Sequence, residues 1–329
     1  MKKFFFSILA VGALVACTKS EVNYNDASEI SFAPVTSTAT KAAINSTTFP
    51  SGKDFNVWAF YGKGAPSTGP EYANFTTAYI TDKTFTRRAN SYVWGGKEQS
   101  YYWPNNGSLV FAGYAAPMDL INKTYDLSKD KLAIYSYTQP PITEQYSELM
   151  WFGRTASFNN KTTGDNVGVV FQHALSWITL KFQGLGMTAD ATNEWKIKKV
   201  VIEDVYNTGN VHCEGKTAIW MDRSNQVDLT VYESAGAQLT GSAQVLENVT
   251  NGTLVLPQVP TTVTITYTCK TPADETIEEI VTASLKYDND AEWQNGKHYI
   301  YTITFSATEI LIAPTVEEWA PVEVTRPAN

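Results

Sequence analysis

Histidine and cysteine are scarce, three of each in 329 residues, and charged residues make up only 18% of the chain. The histidines, His173, His212 and His298, are scattered, and none has a second ligand at metal-site spacing. There is no HExxH, no CxxC and no Cys/His finger, so the sequence offers no metal centre. It also lacks a GxSxG elbow, a P-loop and a GxGxxG turn, which leaves no marked nucleophile and no cradle for a nucleotide cofactor. The "DND" at 288–290 is followed by neither the glycine nor the closing glutamate of a calcium loop and reads as a hairpin turn. Long apolar runs are missing as well. The one at Phe4–Ala16 has thirteen residues, short of the ~20 that span a bilayer. No amphipathic helix longer than about three turns is visible. These absences point to a non-enzymatic protein without cofactor or metal.

What is present begins at the N-terminus. Lys2 and Lys3 precede the run "FFFSILAVGALVA", the layout of a secretory signal. The stretch Leu14-Val15-Ala16-Cys17, followed at once by polar residues, resembles the lipobox of bacterial lipoproteins. On that resemblance residues 1–16 are a signal peptide, and Cys17 is acylated and becomes the first residue. At about 0.8 kcal/mol per buried CH₂, several acyl chains hold a soluble domain firmly on a membrane. Without Lys2 and Lys3, 23 basic residues face 33 acidic ones, a formal charge of −10. An acidic chain with no basic stripe argues against nucleic acid as a partner.

Two cysteines remain, Cys213 and Cys269, each in register with apolar neighbours two residues away. An oxidising compartment permits a bridge between them, and the reading favoured by their apolar neighbours is two small buried hydrophobes. Apolar residues mostly recur with period two, the mark of half-buried strands. Strands are predicted at 55–61, 108–115, 176–182, 197–206, 253–257, 263–269 and 298–305, separated by Gly, Pro, Asn and Asp clusters. Many short strands of this kind predict an all-β chain of sandwiches. The polar stretch 159–168 marks a domain boundary. The division is then a leader at 17–44, a first domain at 45–163 and a second at 164–329.

Aromatic residues reach 13%. Clusters such as "YVWGG" (92–96) and "SYYWP" (100–104) have two readings. They are core packing, or they are exposed platforms on which Trp94, Tyr102 and Trp103 stack against a surface glycan. A glycosidase-like carboxylate pair is a third, weaker option, since 33 acidic residues always offer candidates.

Several segments together resemble one family, the fimbrillin-like proteins of Bacteroidales, subunits of the type V pilus. After the lipobox these are "EISFAPVTSTATKAA" (29–43), "FNVWAFY" (55–61), "YYWPNNGSLVFAGYAAP" (101–117), "VVFQHALSWITLKF" (169–182), "TLVLPQVP" (253–260), "WQNGKHYIYTITF" (293–305) and "VEEWAPVEV" (316–324). The resemblance implies two transthyretin-like β-sandwiches in tandem. It also implies export to the outer membrane and a proteolytic cut that removes a first strand, so that another subunit's strand can fill the opened groove. Physically, a sandwich missing a strand exposes unpaired backbone and apolar pockets, which a donor strand satisfies together. Here Ile30 and Phe32 would face the core from the removable strand. Ile310 with Ile312, or Val322 with Val324, would face it from a donor strand. Each stretch also reads as an ordinary edge strand within its own chain. No arginine precedes Arg87, so the implied cut falls at Lys41-Ala42. The partners implied are other fimbrial subunits, the outer membrane through the lipid, and a host or bacterial surface glycan or protein.

Overall fold

Alternation of apolar and polar residues builds strands throughout, and the chain is all-β. The computed structural model describes residues 24–33, 49–50, 52–63, 72–91, 93–140, 148–155, 166–185, 195–247, 252–270, 275–288, 291–306, 310–319 and 322–324. Among them the strands are β1 (Tyr24–Glu29), β2 (Phe55–Gly62), β3 (Thr77–Arg87), β4 (Trp94–Gly96), β5 (Tyr102–Pro104), β6 (Ser108–Ala115), β7 (Asn122–Asp126), β8 (Lys131–Thr138), β9 (Met150–Phe152) and β10 (Val169–His173). They continue with β11 (Ser176–Gly184), β12 (Lys196–Glu214), β13 (Thr217–Gln238), β14 (Gln244–Val245), β15 (Thr253–Val255), β16 (Thr262–Lys270), β17 (Thr276–Ser284), β18 (Lys297–Phe305), β19 (Ile310–Glu318) and β20 (Val322–Val324).

A seven-stranded sheet in the order β20-β10-β9-β6-β2-β3-β4 carries the first half of the molecule. Its central strand β6 is buried at every position, as expected of a strand covered on both faces. On one face Phe55, Val57 and Ala59 of β2 join Phe85, Phe111 and Phe171 in a core roofed by the residues following β1. On the opposite face Trp58, Tyr114 and Trp151 meet Ile134 of β8, Val211 of β12 and Trp220 of β13 in a second core.

A third core lies between two further sheets. Ile178 and Leu180 of β11 with Tyr301 and Ile303 of β18 pack on Val200 and Ile202 of β12 and Val263 and Ile265 of β16. β11 and β18 run parallel, from Trp177↔His298 to Gly184↔Phe305. The other named strand pairs are antiparallel. β12 connects the two halves: its beginning pairs with β16, its end with β8, and β13 follows it along the opposite edge. Strands before and after residue 163 therefore share sheets, since β8 joins β12 and β10 joins β9.

Candidate functional site: the leader strand and the C-terminal anchor

The segment 24–33 is the first described part of the leader. β1 pairs with β5, and beyond it the Ile30 amide donates to the Tyr101 carbonyl at 2.7 Å. Phe32 and Trp94 exchange backbone hydrogen bonds of 3.0 and 2.7 Å. On its other side the Val167 amide donates to the Ser31 carbonyl at 2.7 Å. The segment is thus paired along both edges. Ile30 and Phe32 are both 0% exposed, which places them on the core side as period two requires. Phe32 meets Phe55, Phe85 and Phe111 edge to face at 5.1–5.6 Å between centroids, the geometry aromatic quadrupoles favour. Burying two such side chains is worth ~1.5–3 kcal/mol each. A surface ion pair, Arg88 with Glu29, adds an outer contact.

The strand bordering this segment also receives the C-terminus. Backbone groups on a strand alternate between its two edges. Val167 turns its amide to Ser31, so Val169 and Phe171 turn theirs the same way, while Ala174 donates to the Leu149 carbonyl on the β9 side. β20 pairs with β10 at Val169–Phe171. Leader and β20 therefore lie end to end along one edge.

Upstream, β19 closes the edge of the sheet that contains β18, paired along all nine residues. Ile310 and Ile312 rest against the third core, whereas most of β19 faces solvent and Leu311 is 50% exposed. Trp319, 3% exposed, then turns inward between β19 and β20. Its ring stacks on His173 and its amide donates to the Gly296 carbonyl at 2.9 Å. Both stretches expected as donor strands are thus paired within their own chain here. Cys17, Lys41 and Ala42 lie outside the described residues.

The sequence model of the fimbrillin-like proteins matches residues 38–319. The chain belongs to the fimbrillin-like family. A fimbrial protein from Bacteroides vulgatus ATCC 8482 is similar in structure, with a TM-score of 0.61 at 14% identity, over 89% of this chain and 99% of that one. A proposed cell-adhesion protein from Bacteroides uniformis ATCC 8492 gives 0.51 at 15% identity, over 89% and 99%. Comparison with curated proteins found no significant match. The family supports a fimbrial, cell-surface and non-enzymatic role for this chain.

In this fimbrillin-like chain the aromatic clusters are largely core. Trp94 and Trp103 are 0% and 2% exposed, and the Trp94 indole donates to the Lys53 carbonyl at 2.8 Å. Both sit on strands whose inward face is the first core, so they cannot serve as sugar platforms, and only Tyr102 of the three is open to solvent. Cys213 and Cys269 are free thiols, both buried, and burial raises the pKa of each. His173 contacts Glu148, both fully enclosed. His298 stacks on Trp177 at 3.4 Å with its Nε2 3.0 Å from the Thr179 hydroxyl. Its pKa is pushed down to about 4, first by burial and then by Lys181. No group of three or more His, Cys, Asp or Glu among the described residues is placed to hold a metal. No helix among them is long and apolar enough to cross a membrane. Trp319 is the buried contact of this region that the sequence did not single out. Its signal was a lone aromatic between two polar, period-two stretches.

Proposed function

We propose that this fimbrillin-like chain is a structural and adhesive subunit, or an accessory protein, of a surface fimbria. It is exported as a lipoprotein acylated at Cys17, carried to the outer membrane, and matured by a cut between Lys41 and Ala42. The cut frees the leader. With Ile30 and Phe32 gone, the first core opens beside Trp94 and Val167, and a strand from another subunit takes their place. Phe49, which follows the cut, stays in that core against Phe55, Trp94 and Phe171. The donor presents apolar residues at period two, as Ile310 with Ile312 or Val322 with Val324 do.

The complete burial of Ile30 and Phe32, on a segment with backbone hydrogen bonds along both edges, carries this reading. Such a segment can be exchanged for any strand with the same alternation. Brief digestion of the purified precursor with trypsin is the test. N-terminal sequencing should read Ala42, and a ladder of oligomers should follow that resists mild denaturant. A product that begins at Ala42 yet stays monomeric at every concentration rules out polymerisation by this route.

A further inference from the structure

The first residues of β13, the turn at 293–296 and Trp319 enclose a cleft of about 640 Å³. Small-molecule sites typically fall at about 300–1,000 Å³. The cleft shares Trp319 with the C-terminal anchor and no residue with the leader. Its tryptophans are fixed: the Trp220 indole donates to the Ala174 carbonyl and the Trp293 indole to the Tyr301 hydroxyl, each at 2.8 Å. The turn is pinned along its length. The Trp293 amide donates to the Gln258 carbonyl at 2.8 Å, the Gln294 amide to the Tyr299 hydroxyl at 2.8 Å, and the Gly296 amide to the Leu175 carbonyl at 2.9 Å. A wall held this way loses little entropy when a ligand arrives.

Two features select the ligand. The first is Asn295. Its Oδ1 accepts from the Ala218 amide and its Nδ2 donates to the Lys216 carbonyl, both at 3.3 Å. That side chain occupies the edge of β13 where an added peptide strand would hydrogen-bond, so β-addition is blocked there. The second is charge. Arg223 holds Glu292 through both terminal nitrogens, at 3.1 and 2.9 Å, and Lys297 pairs with Glu318. Lys216, on the turn between β12 and β13, has no carboxylate partner among the described residues. The Arg223 Nε is enclosed without a hydrogen-bond partner. The lining therefore carries an unmatched cation in a chain of net charge −8. Gln172 and Gln294 line it too, and an amide both donates and accepts, as a sugar hydroxyl does.

We propose that this cleft binds a short acidic saccharide, its carboxylate near Lys216 and its hydroxyls on the amides of Gln172 and Gln294. The glycan role that Trp94 and Trp103 cannot fill is thereby placed on a cleft that neither of them lines. The cleft is complete with the leader in place, so its binding is testable on the uncut chain, without removal of the leader.

The test is titration of the full chain with three acidic probes, digalacturonic acid, sialyllactose and an unsaturated chondroitin disaccharide, and with lactose as the neutral control, read by calorimetry and tryptophan fluorescence. At least one acidic probe should bind about tenfold more tightly than lactose, and added salt should weaken that probe alone. Lys216→Ala should abolish the preference with an unchanged melting temperature, since Lys216 is on an exposed turn. Gln294→Ala should weaken the acidic probe about fivefold, the loss of one polar contact. Absence of binding by all three acidic probes, or an acidic preference that survives Lys216→Ala, overturns the proposal.

Discussion

Trp319 lies face to face with His173, ring centroids 3.7 Å apart and planes 13° from parallel. Trp177 lies 5.7 Å from the Trp319 ring, and Glu148 contacts the imidazole at Nδ1. Because β19 leaves most of its side chains in water, this buried ring joins Ile310 and Ile312, packed on the third core, in holding the C-terminal segment.

Replacing Trp319 with alanine should loosen that segment while the core holds. A buried Trp→Ala change costs ~3–5 kcal/mol, and part of that cost appears as local opening. Hydrogen exchange should speed up by about 100-fold at the amides of β19 and β20, with β16 unaffected. If β19 exchanges no faster than in the parent, the ladder to β18 holds it and Trp319 is not an anchor.

The leader offers a comparison between packing and charge. Phe32→Ala removes a ring from a closed aromatic group and should cost ~3–5 kcal/mol in urea unfolding. Arg88→Ala breaks an ion pair whose partners are 45% and 30% exposed, and should cost less than ~1 kcal/mol. The reverse ranking would mean that charge, not the core, retains the leader.

Two partly buried groups give stability opposite responses to pH. Burial raises the Glu247 pKa to about 7 from its ordinary 4.5, against hydrogen bonds from Leu180, Gly252 and Thr179 that pull it down. Between those values the folded chain keeps a proton that the unfolded chain has lost, so the Glu247 contribution falls as pH rises. His298 has its pKa lowered from 6.5 to about 4. There the unfolded chain binds the extra proton, so its contribution is lost as pH falls through that window. Glu247→Gln should therefore raise stability above about pH 7 and make little difference below about pH 4.5. Urea midpoints measured across that range check it, and a gain that is constant with pH would contradict the assignment.

The two thiols should be inert. Cys213 packs in the second core, so iodoacetamide should label it only as the chain unfolds. Dithiothreitol should leave the melting temperature unchanged, because the thiols are free. A drop in melting temperature on reduction would reveal a bridge.

All seven strands predicted from alternation are strands, because each buries one face and shows the other to water or to a second core. β13 was not legible. Residues such as Asp222, Arg223 and Asp228 break its apolar pattern, and pairing with β12 rather than burial keeps it extended. Nor was the second half of β12, since Asn207-Thr208-Gly209-Asn210 reads as a turn. In the fold Gly209 sits at a register shift, where an added Cβ would stand 3.2 Å from the Met221 carbonyl oxygen and 3.3 Å from the Trp220 ring. The second core depends on β8 meeting β12 between residues such as Thr138 and Thr208 or Lys131 and Glu214, far apart in the chain, a pairing that no local pattern announces. At the candidate site, Ile30 and Phe32 were legible from their period. Trp94 and Trp103 were ambiguous, because a turn-flanked aromatic looks the same in sequence whether it points in or out.

β12 carries a mechanical consequence. At ~3.3 Å per residue, its 19 residues form a tie of about 60 Å. One edge is bonded to β13, and the other first to β16 and then to β8. Tension along that axis loads these bonds together, in shear, instead of unzipping them one after another. A chain built around such a tie can transmit a pull from one half to the other and give way first at its outer strands.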